Sequence, residues 1–154
     1  MTKDEMKKVV CQAIDEAAEK IHETVLRIES EPELGYKETK TAAKVESYMK
    51  ELGLTPQTGL ALTGVKTCVD GGKKGPAVAV LAELDAVGTP DSPKADPLTG
   101  AAHTCGHFLQ MASMLAACTG IVKSNVMKDL AGSAVFFAVP AEEYVEIDYS
   151  KRLV

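Results

Sequence analysis

The first thirty residues carry apolar side chains at helical spacing, and charged residues fill most of the positions between them. Thr2 and Glu5 have the arrangement of a capping box, in which each side chain bonds a backbone N–H at the start of a helix. Because apolar positions recur every three or four residues from Met6 to Ile28, the pattern predicts an amphipathic helix. The helix should end at residues 30–32, because proline disfavours helical backbone at the residue before it.

A second helix is predicted over residues 37–52, again from apolar spacing. Gly53 follows it and suits the C-terminal cap, where a left-handed backbone is common. The predicted inward-facing residues are Ala42, Val45, Met49 and Leu52.

Strand patterns come next. Val65, Thr67 and Val69 alternate with other residues as in a half-buried strand, and residues 71–76 (GGKKGP) form a turn signal. Residues 77–84 (AVAVLAEL) are almost continuously apolar, which is typical of a strand buried on both faces. The two strands are therefore expected to pair as an antiparallel hairpin, with the second one central in the sheet.

The rest of the chain contains a proline-interrupted loop, a helix and a final strand. The helix should run from about His107 to about Val122, and a short buried strand should span residues 134–139 before Pro140. The order of elements predicts an α/β fold, an αβα sandwich with a mixed sheet.

Composition narrows the function classes. The chain has 154 residues, of which 45% are hydrophobic and 25% charged, as in a folded globular protein. A net charge of −5 without a basic cluster argues against nucleic acid or an anionic membrane as the partner. The charged N-terminus lacks a signal core, and four irregularly spaced cysteines suggest reduced thiols, so a cytoplasmic location is expected.

Three polar clusters stand where chemistry is commonly found. Glu83 and Asp85 lie at the carboxyl end of the buried strand, residues 103–107 (HTCGH) precede the last helix, and Glu142-Glu143 follows the last strand. Ligands of open α/β sheets bind beyond the carboxyl ends of strands. The three clusters are therefore expected to converge along one rim.

Cys105 and His107 offer a thiolate and an imidazole, a donor pair that suits zinc or a similar metal. Gly106 between them lets the backbone bend so that both can face one ion. The alternative is a buried free cysteine beside a helix-capping histidine. His103 either joins as a ligand or orients the loop, and His22 is expected at the surface of the first helix.

Glu142 and Glu143 are adjacent, and neighbouring side chains on extended backbone point to opposite sides. One can then bind a metal while the other acts as general base, a division of labour that metal-assisted hydrolysis requires. The alternative is a solvated acidic turn. Asp85 either supports a ligand or simply ends its strand, whereas Glu83 lies in an apolar strand and needs a partner.

In combination, the motifs resemble the zinc-dependent amidohydrolases and peptidases grouped with aminoacylases, hippurate hydrolases and plant auxin-conjugate amidohydrolases. The resemblance runs from about Ile21 to Glu143, and the run FFAVPAEEYVEI is similar to a bacterial subgroup. The matching segments are residues 32–36 (PELGY) with Glu38, 63–65 (TGV), 83–86 (ELDA), 100–107 (GAAHTCGH) and 137–143 (FAVPAEE).

The resemblance implies roles for five residues. Cys105, His107 and Glu143 match metal ligands, Glu142 matches the general base, and Asp85 matches a supporting carboxylate. It also implies a divalent metal, with zinc expected and manganese or cobalt as alternatives. Relatives carry Asp or Asn where this chain has Phe108, and many carry His where it has Gln110.

The implied fold is the zinc-exopeptidase catalytic domain, of which residues 1–154 would be an N-terminal, incomplete portion. Family members are longer, with further histidine ligands downstream and an inserted dimerisation domain that is not expected here. The leading hypothesis is that the full-length protein hydrolyses an amide bond in N-acyl amino acids or small peptides. Both a homo-oligomeric and a monomeric full-length protein are compatible with the resemblance. The portion alone is expected to be inactive.

Two other hypotheses remain open from the sequence. The chain can be a short non-catalytic paralogue that acts as a binding or assembly module. Alternatively, Cys105 can be a nucleophile with His107 or His103 as its base, although this leaves Glu142 and Glu143 without a role.

Overall fold

The predicted helices and strands are present in the computed structural model, which describes residues 1–143. Residues 144–147 (YVEI), at the end of the last motif, lie outside the described part. In chain order the elements are α1 (Lys3–Glu29), α2 (Thr39–Glu51), β1 (Gln57–Leu60), β2 (Gly64–Asp70), β3 (Ala77–Glu83), β4 (Val87–Gly88), β5 (Ala101–Ala102), α3 (His107–Ser124), a 3-10 helix (Val126–Asp129) and β6 (Ser133–Val139).

The N-terminus of α1 is capped by its own first residues, whereas the N-terminus of α2 is capped by a residue of the preceding loop. At α1, the capping box of Thr2 and Glu5 is formed as predicted. At α2, the carboxylate of Glu33 accepts hydrogen bonds from the N–H groups of Lys40 and Thr41, the latter at 2.8 Å. Because these N–H groups have no partner within the helix, a side chain from the preceding loop fixes where α2 begins.

The four-stranded sheet has the order β1-β2-β6-β3, so the predicted hairpin of β2 with β3 is wrong. β6 lies between them, antiparallel to β2 and parallel to β3. The glycine-rich turn of residues 71–76 instead passes around the start of β6. There Gly71 donates to the carbonyl of Gly132 at 2.9 Å, and Gly132 donates to the carbonyl of Lys73 at 2.8 Å.

β3 was also expected to be central and buried on both faces, and the structure contradicts this. It is an edge strand of the described sheet, in which Leu81 is 59% exposed and Val78 is 63% exposed. Ala82 and the half-buried Val80 face the helices. The mixed α/β fold is confirmed, with one sheet face packed against the helices in the described residues.

A single core joins the three helices to the inner face of the sheet. Among the described residues, no helix combines the length and apolar character that crossing a bilayer requires. The largest fully buried apolar side chains of this core include Ile28, Met49, Met111, Met114, Leu115 and Phe136.

Two hydroxyl groups meet inside this core. The hydroxyl of Tyr48 on α2 lies 2.9 Å from that of Thr119 on α3, and Thr119 also donates to the carbonyl of Leu115 at 2.7 Å. Tyr48 is 4% exposed and Thr119 is fully buried. A buried hydroxyl without a partner is costly, so the pair helps to fix α2 against α3.

We predict that Thr119→Val lowers the free energy of unfolding by about 1–3 kcal/mol, because it leaves the buried Tyr48 hydroxyl unbonded. Adding Tyr48→Phe should recover part of that loss. The measurement is urea unfolding of both single variants and the double variant. Strictly additive effects of the two substitutions would contradict this account.

His103 is the second unusual polar group of the interior. It is 9% exposed, its ring packs against Phe108 with centroids 5.7 Å apart, and neither ring nitrogen has a hydrogen-bond partner among the described residues. Burial, with a smaller contribution from the charge of His107, lowers the pKa of His103 to about 4. The folded protein therefore holds this imidazole neutral under conditions in which an unfolded chain protonates it.

We predict that His103 destabilises the fold as the pH falls from about 6.5 to about 4, because only the unfolded chain takes up its proton in that window. The contribution amounts to about 3 kcal/mol at the acid end. A His103→Gln variant should lose this part of the pH dependence in urea unfolding, and His22→Gln, at an exposed site on α1, should keep it. An unchanged slope in His103→Gln would show that the prediction is wrong.

Candidate metal centre

The predicted convergence of polar clusters follows from the parallel pairing of β3 with β6. Glu83 is opposite Val139 in the register, and the N–H of Leu84 bonds the carbonyl of Val139 at 2.9 Å. The segments that leave the two strands, residues 83–85 and 140–143, therefore start side by side. The structure brings all three clusters to this rim, as expected.

His107, the first residue of α3, lies at the centre of the rim and has 4% of its side chain exposed. Its Nδ1 is 2.9 Å from the main-chain oxygen of Asp85 and 3.2 Å from Asp85 Oδ1. Both oxygens are acceptors, so Nδ1 is placed to donate to Asp85, and Nε2 faces the other way. Nε2 lies 2.9 Å from Glu83 Oε2, so this edge of the ring faces the Glu83 carboxylate.

Glu142 and Glu143 lie on the same side of the chain, in contrast to the prediction from extended backbone. An oxygen of each carboxylate is 3.7 Å from His107 Nε2. Residues 142 and 143 lie in a bend beyond the end of β6, so the alternation of extended backbone does not apply to them. The residue before the pair, Ala141, has a φ of +50°. Both carboxylates face one imidazole.

Cys105 reaches the same place because Gly106 adopts a left-handed backbone, with φ of +91°, just before α3. Such a conformation is readily available to glycine, as the spacing suggested. Two trios of donor atoms result, each with all its atoms within 4.8 Å of one another. One is Cys105, His107 and Glu143, and the other is Glu83, His107 and Glu142.

The electrostatics of the rim favour a cation. The carboxylates of Glu83, Glu142 and Glu143 surround one imidazole edge, and partial burial raises the pKa of the Cys105 thiol, with Glu143 adding to the effect. Thiolate, imidazole and carboxylate are together the donor set that suits zinc, so the residues present fit such an ion.

Asp85 fixes the rim from the protein interior. It is fully buried, and its Oδ2 accepts a hydrogen bond from the N–H of Glu143 at 3.1 Å. His103 does not belong to either trio, and Phe108 packs in the core beside it. His22 and Gln110 are exposed.

Sequence reasoning did not assign Glu83 to the site, although its place in an apolar strand was the signal. It also gave no role to Glu38, a fully buried carboxylate that bonds the N–H of Ala141.

Several known proteins are similar to this chain in sequence or in fold. No model of a protein family matches the chain. YhaA of Bacillus subtilis, which is named as an amidohydrolase, is 32% identical over 142 residues, covering 90% of this chain and 35% of that protein. The N-acetyl-L-cysteine deacetylase of Bacillus subtilis is 33% identical over 115 residues, covering 73% of this chain and 27% of the enzyme.

A solved structure is similar over the same region. The YXEP protein of Bacillus subtilis, described as a dinuclear metal-binding peptidase of the M20 family, matches with a TM-score of 0.70 and 26% identity, over 80% of this chain and 35% of that one. The chain thus spans about a third of the length of the relatives it matches. Over this region, the chain matches amidohydrolases and peptidases of the M20 family in both sequence and fold.

Proposed function

We propose that Cys105, His107 and Glu143 hold a divalent cation, with zinc the best fit to their donors, and that the site serves hydrolysis of an amide bond. The supporting observation is the first trio, whose thiol, imidazole and carboxylate atoms lie within 4.8 Å of one another. The relatives named as an amidohydrolase, a deacetylase and a peptidase favour N-acyl amino acids or small peptides as substrates.

Glu142 and Asp85 have separate roles beside the proposed ion. When bound, the cation supplies Lewis acidity, which polarises a carbonyl and acidifies a water molecule. Glu142 accepts the proton of the attacking water and returns it to the leaving amine, for which its half-exposed carboxylate is accessible to solvent and substrate. Asp85 holds the proton of His107 on Nδ1, so that Nε2 keeps its lone pair for the ion.

The proposed ion site can be tested with Co²⁺ as the probe. Titration with Co²⁺ should produce thiolate-to-metal absorption in the wild type, because Cys105 is a proposed ligand. The double variant Cys105→Ser, His107→Ala should bind at least about 100-fold more weakly, since loss of even a supporting residue typically costs 10- to 100-fold.

The matched control is His22→Ala, which removes an exposed histidine of α1 far along the chain from the proposed ligands. It should bind Co²⁺ as the wild type does. Equal binding by the double variant and the control would overturn the proposed site.

A further prediction separates catalysis from binding. In the full-length protein that the resemblance implies, Glu142→Gln should lower the hydrolysis of N-acyl amino acids by about 10²- to 10⁴-fold, because the general base is lost, while Co²⁺ binding stays near that of the wild type. Rates are measured with zinc across a panel of N-acyl amino acids, with and without chelator. A full-length wild type that binds metal but hydrolyses none of them would favour the alternative of a binding module.

A further inference from the structure

We propose that Glu38 is a positioning residue, which sets the backbone of residues 141–143 and through it the carboxylates of Glu142 and Glu143. The effect of Glu38 on metal binding rests on the function proposed above. The effect of Glu38 on the backbone of residues 141–143 does not depend on that function.

The starting observation is a carboxylate enclosed in the protein. Glu38 stands at the start of α2 and is fully buried. Its Oε1 accepts a hydrogen bond from the N–H of Ala141 at 2.9 Å, and its Oε2 accepts one from the hydroxyl of Thr63 at 2.7 Å. A buried carboxylate is unfavourable unless it is bonded, so these two donors account for its place.

The backbone that Glu38 holds is strained. Ala141 has a φ of +50°, a left-handed conformation that costs a non-glycine residue about 1–2 kcal/mol. The chain passes from this residue directly into Glu142 and Glu143, whose carboxylates each lie 3.7 Å from His107 Nε2. Without an acceptor for the Ala141 N–H, nothing in the bend itself would offset that strain.

A second carboxylate holds the other end of the segment, since Asp85 accepts the N–H of Glu143 at 3.1 Å. Residues 141–143 are therefore fixed at both ends by buried acceptors that come from α2 and from the end of β3. Glu38 belongs to neither donor trio. Its influence on the ligand atoms consequently passes through the backbone.

Three variants isolate this role. Glu38→Met fills the space but leaves the Ala141 N–H without an acceptor. Glu38→Gln keeps one oxygen for that N–H and offers its amide to the Thr63 hydroxyl, which can accept as well as donate. Glu33→Met is the control, because the Glu33 carboxylate caps the same end of α2 through hydrogen bonds from residues 39–41 and, among the described residues, accepts none from residues 141–143.

The first readout is amide hydrogen exchange followed by NMR, which needs no metal. We expect faster exchange of the Ala141 and Glu143 amides in Glu38→Met, relative to the core amides of the same variant, and wild-type rates in Glu38→Gln and Glu33→Met. Unchanged exchange of these amides in a folded Glu38→Met would overturn the inference. If that variant does not fold, Glu38→Asp, whose carboxylate is one methylene farther from the Ala141 N–H, replaces it with the same expectation.

The second readout is the Co²⁺ spectrum and affinity. Glu38→Met should weaken Co²⁺ binding by about 10- to 100-fold and alter the thiolate band, and Glu38→Gln should restore both. Equal weakening in Glu33→Met would show that helix stability, and not positioning, is responsible. A wild type that binds no Co²⁺ would refute the proposed metal site, while the exchange measurement would still decide the role of Glu38.

Discussion

Parallel pairing of β3 with β6 is the constraint on which the rest of the rim depends. Two strands that run the same way must end at the same edge, so Glu83 and the segment after Val139 leave the sheet together. The small strands and α3 then return the chain to that edge with His107 at its first turn. Charged side chains that are far apart in the sequence thus meet because main-chain hydrogen bonds pair the two strands.

The assembled rim is unfavourable as an isolated set of charges. Three carboxylates face one edge of an imidazole, and the neighbouring thiol is pushed toward its neutral form. Such a cluster of charges is stable only when other contacts fix its members. Here those contacts are hydrogen bonds to buried acceptors. Asp85 fixes both His107 and Glu143, while Glu38 fixes Ala141. The repulsion among the carboxylates of the rim is offset by the hydrogen bonds that Asp85 and Glu38 accept.

Local patterns predicted much of this fold, and long-range pairing accounts for most of the failures. The capping box and apolar spacing located α1 correctly, since both depend on neighbouring residues. The turn of residues 71–76 has the composition of a hairpin, yet β6 is inserted between the strands it joins, which no local signal reveals. Likewise, an apolar run cannot show that Leu81 faces outward from an edge strand.

The candidate site was predictable in its membership and less so in its geometry. The residue types at Cys105, His107, Glu142 and Glu143 pointed to a metal, and the rim brings them together. The two glutamates follow a left-handed backbone conformation at Ala141, which composition does not encode. The N–H of Ala141 bonds Glu38, 103 positions earlier, which has no distinguishing feature in the sequence beyond its place in a motif.

The position of β6 also has a consequence for the protein during its synthesis. This strand follows β2 and β3 in the chain but lies between them, so the nascent chain displays two unjoined sheet fragments until residues 133–139 have emerged. Open strand edges associate readily with other chains, and pairing over long sequence separations is slow. The interval before β6 emerges from the ribosome is therefore the moment at which this fold is most exposed to aggregation.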